Sequence, residues 1–379
     1  MKWLLSLLVP LIVPASPGFA GTPPELNAAL ARSRVGDVVP LSGLDPLALE
    51  QAPAVRSTFG GKFVYSGSPE YCPGPGILYQ DTFRPGDDVR LYLYHVNASR
   101  QPLRFSIVAE PLEGAARILL GSGLVVGPCA NYAYAGQLAS FVQLGRPAPT
   151  GPRALEVRAP VVLDPELDRR IVPPRKPELL IHSIHDFQVA DGPVRISVLA
   201  VDGDAATLSS FPALGLLDRD KNHDRGTYEG LTRDVDVERE WKTTDGVLRL
   251  RLADGKTDPW PQGGDRTLGT QSPYRGAYGV IYRIHLRLGA PDGRRFAVLL
   301  NPRAGFVAGA FGIEIPGRGR TAYLAPELGR PLVREKEQGA VMAFVDPAKT
   351  PEVTLLWTPP GSSSLPAEFL LVPFSDATE

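Results

Sequence analysis

The chain has 379 residues, with 40 Lys plus Arg against 41 Asp plus Glu, so its formal net charge is −1. That balance, with no basic tract, argues against a nucleic-acid partner, because phosphate binding begins with a positive surface. The 39 Gly and 39 Pro are spread between apolar runs and exceed ordinary usage of about 7% and about 5%, which fits many turns joining short strands.

The first twenty residues have the pattern of a signal peptide. Lys2 supplies a positive charge, Trp3 to Val13 is an apolar run, and Gly18-Phe19-Ala20 offers small residues for cleavage after Ala20. Pro10 and Pro14 make that run short for a bilayer span, and no later stretch is long and apolar enough to cross. The expectation is a protein that is secreted or associated with the cell envelope, with no transmembrane span in the mature chain. Residues 21–58 are rich in Pro, Ala and Leu without strand alternation. They read as an extended arm or linker with a short helix over Leu26–Arg34.

A first unit is predicted over residues 59–164. Val89, Leu91, Leu93 and His95 alternate with Arg90, Tyr92, Tyr94 and Val96. Asn97 to Arg100 turns the chain, and Leu103, Phe105, Ile107 and Ala109 return, which predicts a hairpin. Ile118–Val126 supplies a further strand, and Leu155–Val162 closes the unit. Between them Tyr134, Leu138 and Phe141 stand at helical spacing after Asn131. Cys72 and Cys129 are an even pair in an exported chain and predict a disulfide, worth about 4–5 kcal/mol by loop entropy. A catalytic thiol would need a base that the neighbouring residues do not supply. Asn97-Ala98-Ser99 matches a glycosylation sequon, but a three-residue match is weak and the favoured reading is a polar hairpin turn.

Pro165, Pro173, Pro174 and Pro177 mark residues 165–177 as a Pro-rich linker between domains. The second unit, residues 178–375, contains strand patterns at Leu179–Ile181, Val194–Val198 and Leu248–Leu252. Val280, Tyr282, Ile284, Leu286 and Leu288 then alternate with more polar positions. Phe296, Val298 and Leu300 follow, then Val307, Phe311, Ile313 and Ile315, which predicts a meander of adjacent strands. Val341–Val345, Val353–Trp357 and Phe369–Phe374 complete the set. The fold class is all-β: two β-sandwich-like domains with minor helix.

One loop carries candidate metal chemistry. Asp218, Asp220, Asn222 and Asp224 place oxygens at every second position, and Glu229 is twelfth from Asp218, a spacing suited to calcium. His223 stands where such a loop needs glycine, so a solvated acidic turn competes with the calcium reading. His182 and His185 neighbour Asp186, but strand spacing points them to opposite faces. His95 and His285 read as structural. No zinc-protease, nucleophile-elbow, P-loop or dinucleotide motif is present, so no catalytic residue is assigned. Trp241, Trp260 and Tyr274 lie in Gly/Pro-rich surroundings as candidate ligand-stacking aromatics, with core-capping rings as the competing reading.

His223-Asp224-Arg225-Gly226-Thr227-Tyr228, Tyr274-Arg275-Gly276-Ala277-Tyr278-Gly279-Val280 and Asn301-Pro302-Arg303-Ala304-Gly305 together resemble a pattern in uncharacterised exported bacterial β proteins. Those proteins, mostly from spore-forming lineages, often carry a copper amine oxidase N-terminal-like module, and that module has no counterpart here. The resemblance covers about half of the chain. It implies a secreted, envelope-associated β protein without assigned catalytic residues, and copper chemistry is not carried over. The expected function is therefore non-catalytic binding of a glycan or another surface component. A polysaccharide hydrolase using a carboxylate pair and a calcium-stabilised structural module are the alternatives.

Overall fold

The computed structural model describes residues 21–146, 151–220, 224–271, 273–303, 305–307, 309–324, 326 and 335–376. The predicted signal peptide, residues 1–20, lies outside them. The fold is all-β with minor helix, and its described strands form four sheets.

An eight-stranded sheet runs in the order Thr270–Gln271, Gly263–Asp265, Arg225–Glu229, Lys62–Cys72, Asp88–Asn97, Leu180–Asp191, Ala116–Cys129, Arg153–Val157. A five-stranded sheet built on Leu103–Pro111, Val194–Asp202 and Gly76–Phe83 faces it. Between them Leu91, Leu93, Phe105, Ile107, Ile196 and Val198 share one core. The opposite face of the eight-stranded sheet presents Phe63, Tyr65, Tyr92 and Tyr94 to a second core. That core continues between a seven-stranded sheet and a C-terminal five-stranded sheet, where Trp357 meets Phe369 edge-on at 5.4 Å.

Asp88–Asn97 is thus buried on both faces, with Val89, Leu91 and Leu93 turned to one core and Tyr92, Tyr94 and Val96 to the other. It pairs with Leu180–Asp191 and Lys62–Cys72, not with Leu103–Pro111, which crosses to the facing sheet. The expected hairpin is therefore corrected. The same correction applies to the predicted meander. Ile281–Gly289 and Ala310–Ile315 belong to the seven-stranded sheet, whereas Arg295–Pro302 lies in the C-terminal sheet. Arg295–Pro302 buries Phe296, Val298 and Leu300 on one side and Ala297 and Leu299 on the other. Alternation identifies a strand's faces but says nothing about which neighbour it pairs with.

The boundary expected at residues 165–177 does not separate two bodies. Leu180–Asp191 inserts between Asp88–Asn97 and Ala116–Cys129, and Ile171–Val172 pairs with Leu103 and Arg104. The prolines stiffen a connection within one sandwich. The predicted arm is also structured. The helix Pro24–Arg32 and residues up to Leu49 cover the outer face of the C-terminal sheet with Leu26, Leu30, Val39 and Leu41. Ala54–Phe59 is an edge strand of the seven-stranded sheet.

Cys72 and Cys129 are free thiols, which overturns the predicted disulfide. Two strands separate theirs in the sheet, so about 14 Å lies between positions that a bridge requires within roughly 7 Å. The helix Tyr132–Gly145 follows its Asn131 cap, whose side chain accepts from the Tyr134 N–H at 3.0 Å. Among the described residues no helix is long and apolar enough to cross a membrane.

Candidate functional site: a groove at the junction of two sheets

The chain passes from the seven-stranded to the eight-stranded sheet at Phe59-Gly60-Gly61 and returns at Glu229-Gly230-Leu231. The two crossings are tied together: the Gly230 N–H donates to Gly61 O at 2.8 Å, and the Leu231 N–H to Phe59 O at 3.0 Å. Gly230 has φ +96° and lies so close to Thr58 that a Cβ would sit 2.1 Å from its methyl group. Only glycine fits that position.

The segment from Ala253 to Gln262 forms the opposite wall. Asp254 accepts from the N–H groups of Lys256 and Asp258, both at 2.9 Å, and folds the loop tightly. Asp258 is fully buried beneath it. One carboxylate oxygen accepts from Arg233, and the other from the Ala253 N–H at 2.6 Å and the Tyr282 hydroxyl at 2.7 Å. Arg233 also donates to Thr58 Oγ1 at 3.1 Å. This cluster fixes the loop to the strand Thr232–Val237.

The loop presents Trp260. Its six-membered ring packs on Gly255, at φ +67°, where a Cβ would approach within 2.5 Å. The half-buried indole lines a groove of about 480 Å³ together with Phe59, Arg56, Thr58, Glu229 and Gln262. Phe59 is 42% exposed. Aromatic surface thus lies beside donors and acceptors in one concavity, as small-molecule sites require.

The other predicted ligand aromatics are elsewhere. Trp241 is fully buried, its Nε1 donating to Gly246 O at 3.0 Å and its ring covered by Arg239 at 4.3 Å. Tyr274 is fully buried between Tyr65, Tyr228 and Phe63, with its hydroxyl donating to Tyr278 O at 2.7 Å. Both cap core ends, and the expectation that they stack on a ligand is corrected.

The acidic loop does not gather its oxygens either. Arg225–Glu229 is an extended strand, so about 13 Å of chain separates its ends and carries Glu229 away to the groove. Asp224 lies 3.8 Å from Arg219, the Asp220 N–H donates to Glu70, and the carbonyl of Asp218 accepts from Arg225. Asn222 and His223 lie outside the described residues. Among the described residues no three His, Cys, Asp or Glu side chains group to hold a metal.

What organises that loop is a buried cluster that periodicity gave no means of finding. Arg225 engages both oxygens of Glu70 and also reaches Leu217 O at 2.9 Å. Burial pushes the Glu70 carboxyl above its ordinary pKa despite the arginine. His95 lies 2.9 Å from Ser66 Oγ through Nε2 and 3.6 Å from Glu70 through Nδ1. These are the residue types of a hydrolytic triad, yet Ser66, His95 and Glu70 are at most 1% exposed. A substrate has no path to them, and they act as a polar brace. His182, between Tyr92 and Tyr94, points away from His185 as its strand spacing predicts. Asn97 of the sequon is buried, donating to Val172 O at 2.6 Å, and forms the polar turn.

No family model matches the chain, and no curated protein matches it. Among solved structures it is similar to the crystal structure of the protein YhaK from Escherichia coli, at 10% sequence identity, covering 85% of this chain and 94% of that chain, with a TM-score of 0.15.

Proposed function

We propose that the protein is an exported, non-catalytic β protein of the cell envelope that binds a saccharide in the Trp260 groove. The observation that carries this reading is the half-buried Trp260 ring facing a cavity beside the exposed Phe59, with Thr58, Glu229 and Gln262 within the same lining. The C–H face of a pyranose stacks on an indole while its hydroxyls reach surrounding polar groups. Export rests on the Lys2–Ala20 pattern.

Binding is favoured over hydrolysis by the state of the two groove carboxylates. Asp258 has both oxygens committed to Arg233, Ala253 and Tyr282, which leaves Glu229 as the groove carboxylate open to a ligand. Glycoside hydrolysis ordinarily takes two such groups. The test is isothermal titration with hexasaccharides, alongside an assay for new reducing ends. Saturable binding that Trp260→Ala abolishes, with no reducing ends formed, is the expected result. Cleavage of any hexasaccharide, or binding indifferent to Trp260→Ala, overturns the reading.

A further inference from the structure

The geometry points to an acidic saccharide as the ligand of the groove, its carboxylate or sulfate held by Arg56; this inference rests on the saccharide reading above. Arg56 lines the cavity from the edge strand Ala54–Phe59. Unlike Arg233 beside it, Arg56 meets no described carboxylate within 4.0 Å. It donates to two backbone carbonyls, Ala54 O at 3.3 Å and Arg251 O at 3.4 Å, one from each terminal nitrogen. Its Nε is buried without a hydrogen-bond partner.

A guanidinium carries five N–H donors in a planar fork. After the two carbonyl contacts, one N–H on each terminal nitrogen and the Nε–H remain. A partly buried cation in this state bears a desolvation penalty that no described carboxylate within 4.0 Å offsets. A ligand acid group supplies the missing charge, and a planar carboxylate matches the fork with two parallel bonds. Trp260 and Phe59 provide apolar surface for the ring that carries the acid. Glu229 stands at the exposed rim as an acceptor for ring hydroxyls, and its negative charge limits how tightly an anion is held.

Isothermal titration on the full mature chain tests this with an oligogalacturonate, a chondroitin sulfate oligosaccharide and cellohexaose. At least one acidic ligand is expected to bind about tenfold more tightly than cellohexaose, and to weaken as salt rises. Arg56→Met, which keeps the aliphatic stem, is expected to lower acidic affinity roughly ten- to a hundredfold and to weaken cellohexaose much less. Glu229→Gln is expected to tighten acidic ligands about two- to fivefold. It also serves should Arg56→Met misfold. Because chondroitin sulfate carries both groups, its desulfated form separates them: binding retained on desulfation identifies a carboxylate, and binding lost identifies a sulfate. Equal affinity for acidic and neutral ligands, with Arg56→Met and Glu229→Gln silent, overturns this inference and leaves the saccharide reading standing. Absence of binding to all three overturns both.

Discussion

Arg233 and Asp258 form an ion pair with almost no solvent exposure, 5% and 0% of the two side chains, directly beneath the loop that presents Trp260. The pair joins the strand Thr232–Val237 to the wall of the groove, and Tyr282 closes it from the neighbouring strand at 2.7 Å. The groove is therefore held in shape by a buried ion pair at its base.

Breaking that pair should be costly while replacing it should not. Arg233→Met or Asp258→Leu alone is expected to lower stability by about 3–5 kcal/mol, because each leaves a buried charge without its partner. The double substitution should recover most of that loss. Urea unfolding of the three variants measures the coupling, and additive losses would show that the two side chains act independently.

Gly255 should tolerate no side chain. At φ +67°, with a Cβ 2.5 Å from the Trp260 ring, Gly255→Ala combines backbone strain with a direct clash. A loss of about 1–3 kcal/mol is expected, together with a red shift in tryptophan emission as the indole moves toward water. Unchanged emission and melting would mean that the loop does not hold the ring.

The thiols should be unbonded and slow to react. Burial pushes Cys72 up to about 12, and burial also raises Cys129, so little thiolate forms at neutral pH. Two thiols should titrate with a chromogenic disulfide reagent after denaturation, and close to none in the native protein within minutes. A melting temperature that falls on adding reductant would contradict free cysteines.

Acid should destabilise the protein through His182. Burial lowers its pKa to about 4 from 6.5, while its Nδ1 meets Leu93 O at 2.8 Å. The folded state thus favours the neutral ring. This contribution is fully present above pH 6.5 and is lost as pH falls toward 4, amounting to about 3 kcal/mol across that window. His185 is pushed in the same direction by burial. His182→Gln should flatten the stability profile between pH 6.5 and 4 relative to the parent chain, and parallel profiles would remove His182 as the cause.

Local patterning in the sequence determined the fold class and most of the elements. Ile281–Gly289 forms a strand with Tyr282, Ile284, Leu286 and Leu288 inward as predicted, and Asn131 starts the predicted helix, because side-chain alternation and capping are properties of a few adjacent residues. Only the tertiary structure decided the pairings. Leu103–Pro111 and Arg295–Pro302 leave the sheets of the strands before them, and Leu180–Asp191 crosses the supposed linker, since strand pairing depends on contacts between residues far apart in the chain. The same division holds at the groove. Trp260 was legible as an aromatic in a Gly/Pro-rich loop, but Trp241 and Tyr274 looked alike in sequence, and only packing separated the half-buried ring from the two buried ones. Arg56 gave no local signal at all, because the lack of a carboxylate beside it among the described residues arises from which strands the fold brings around it.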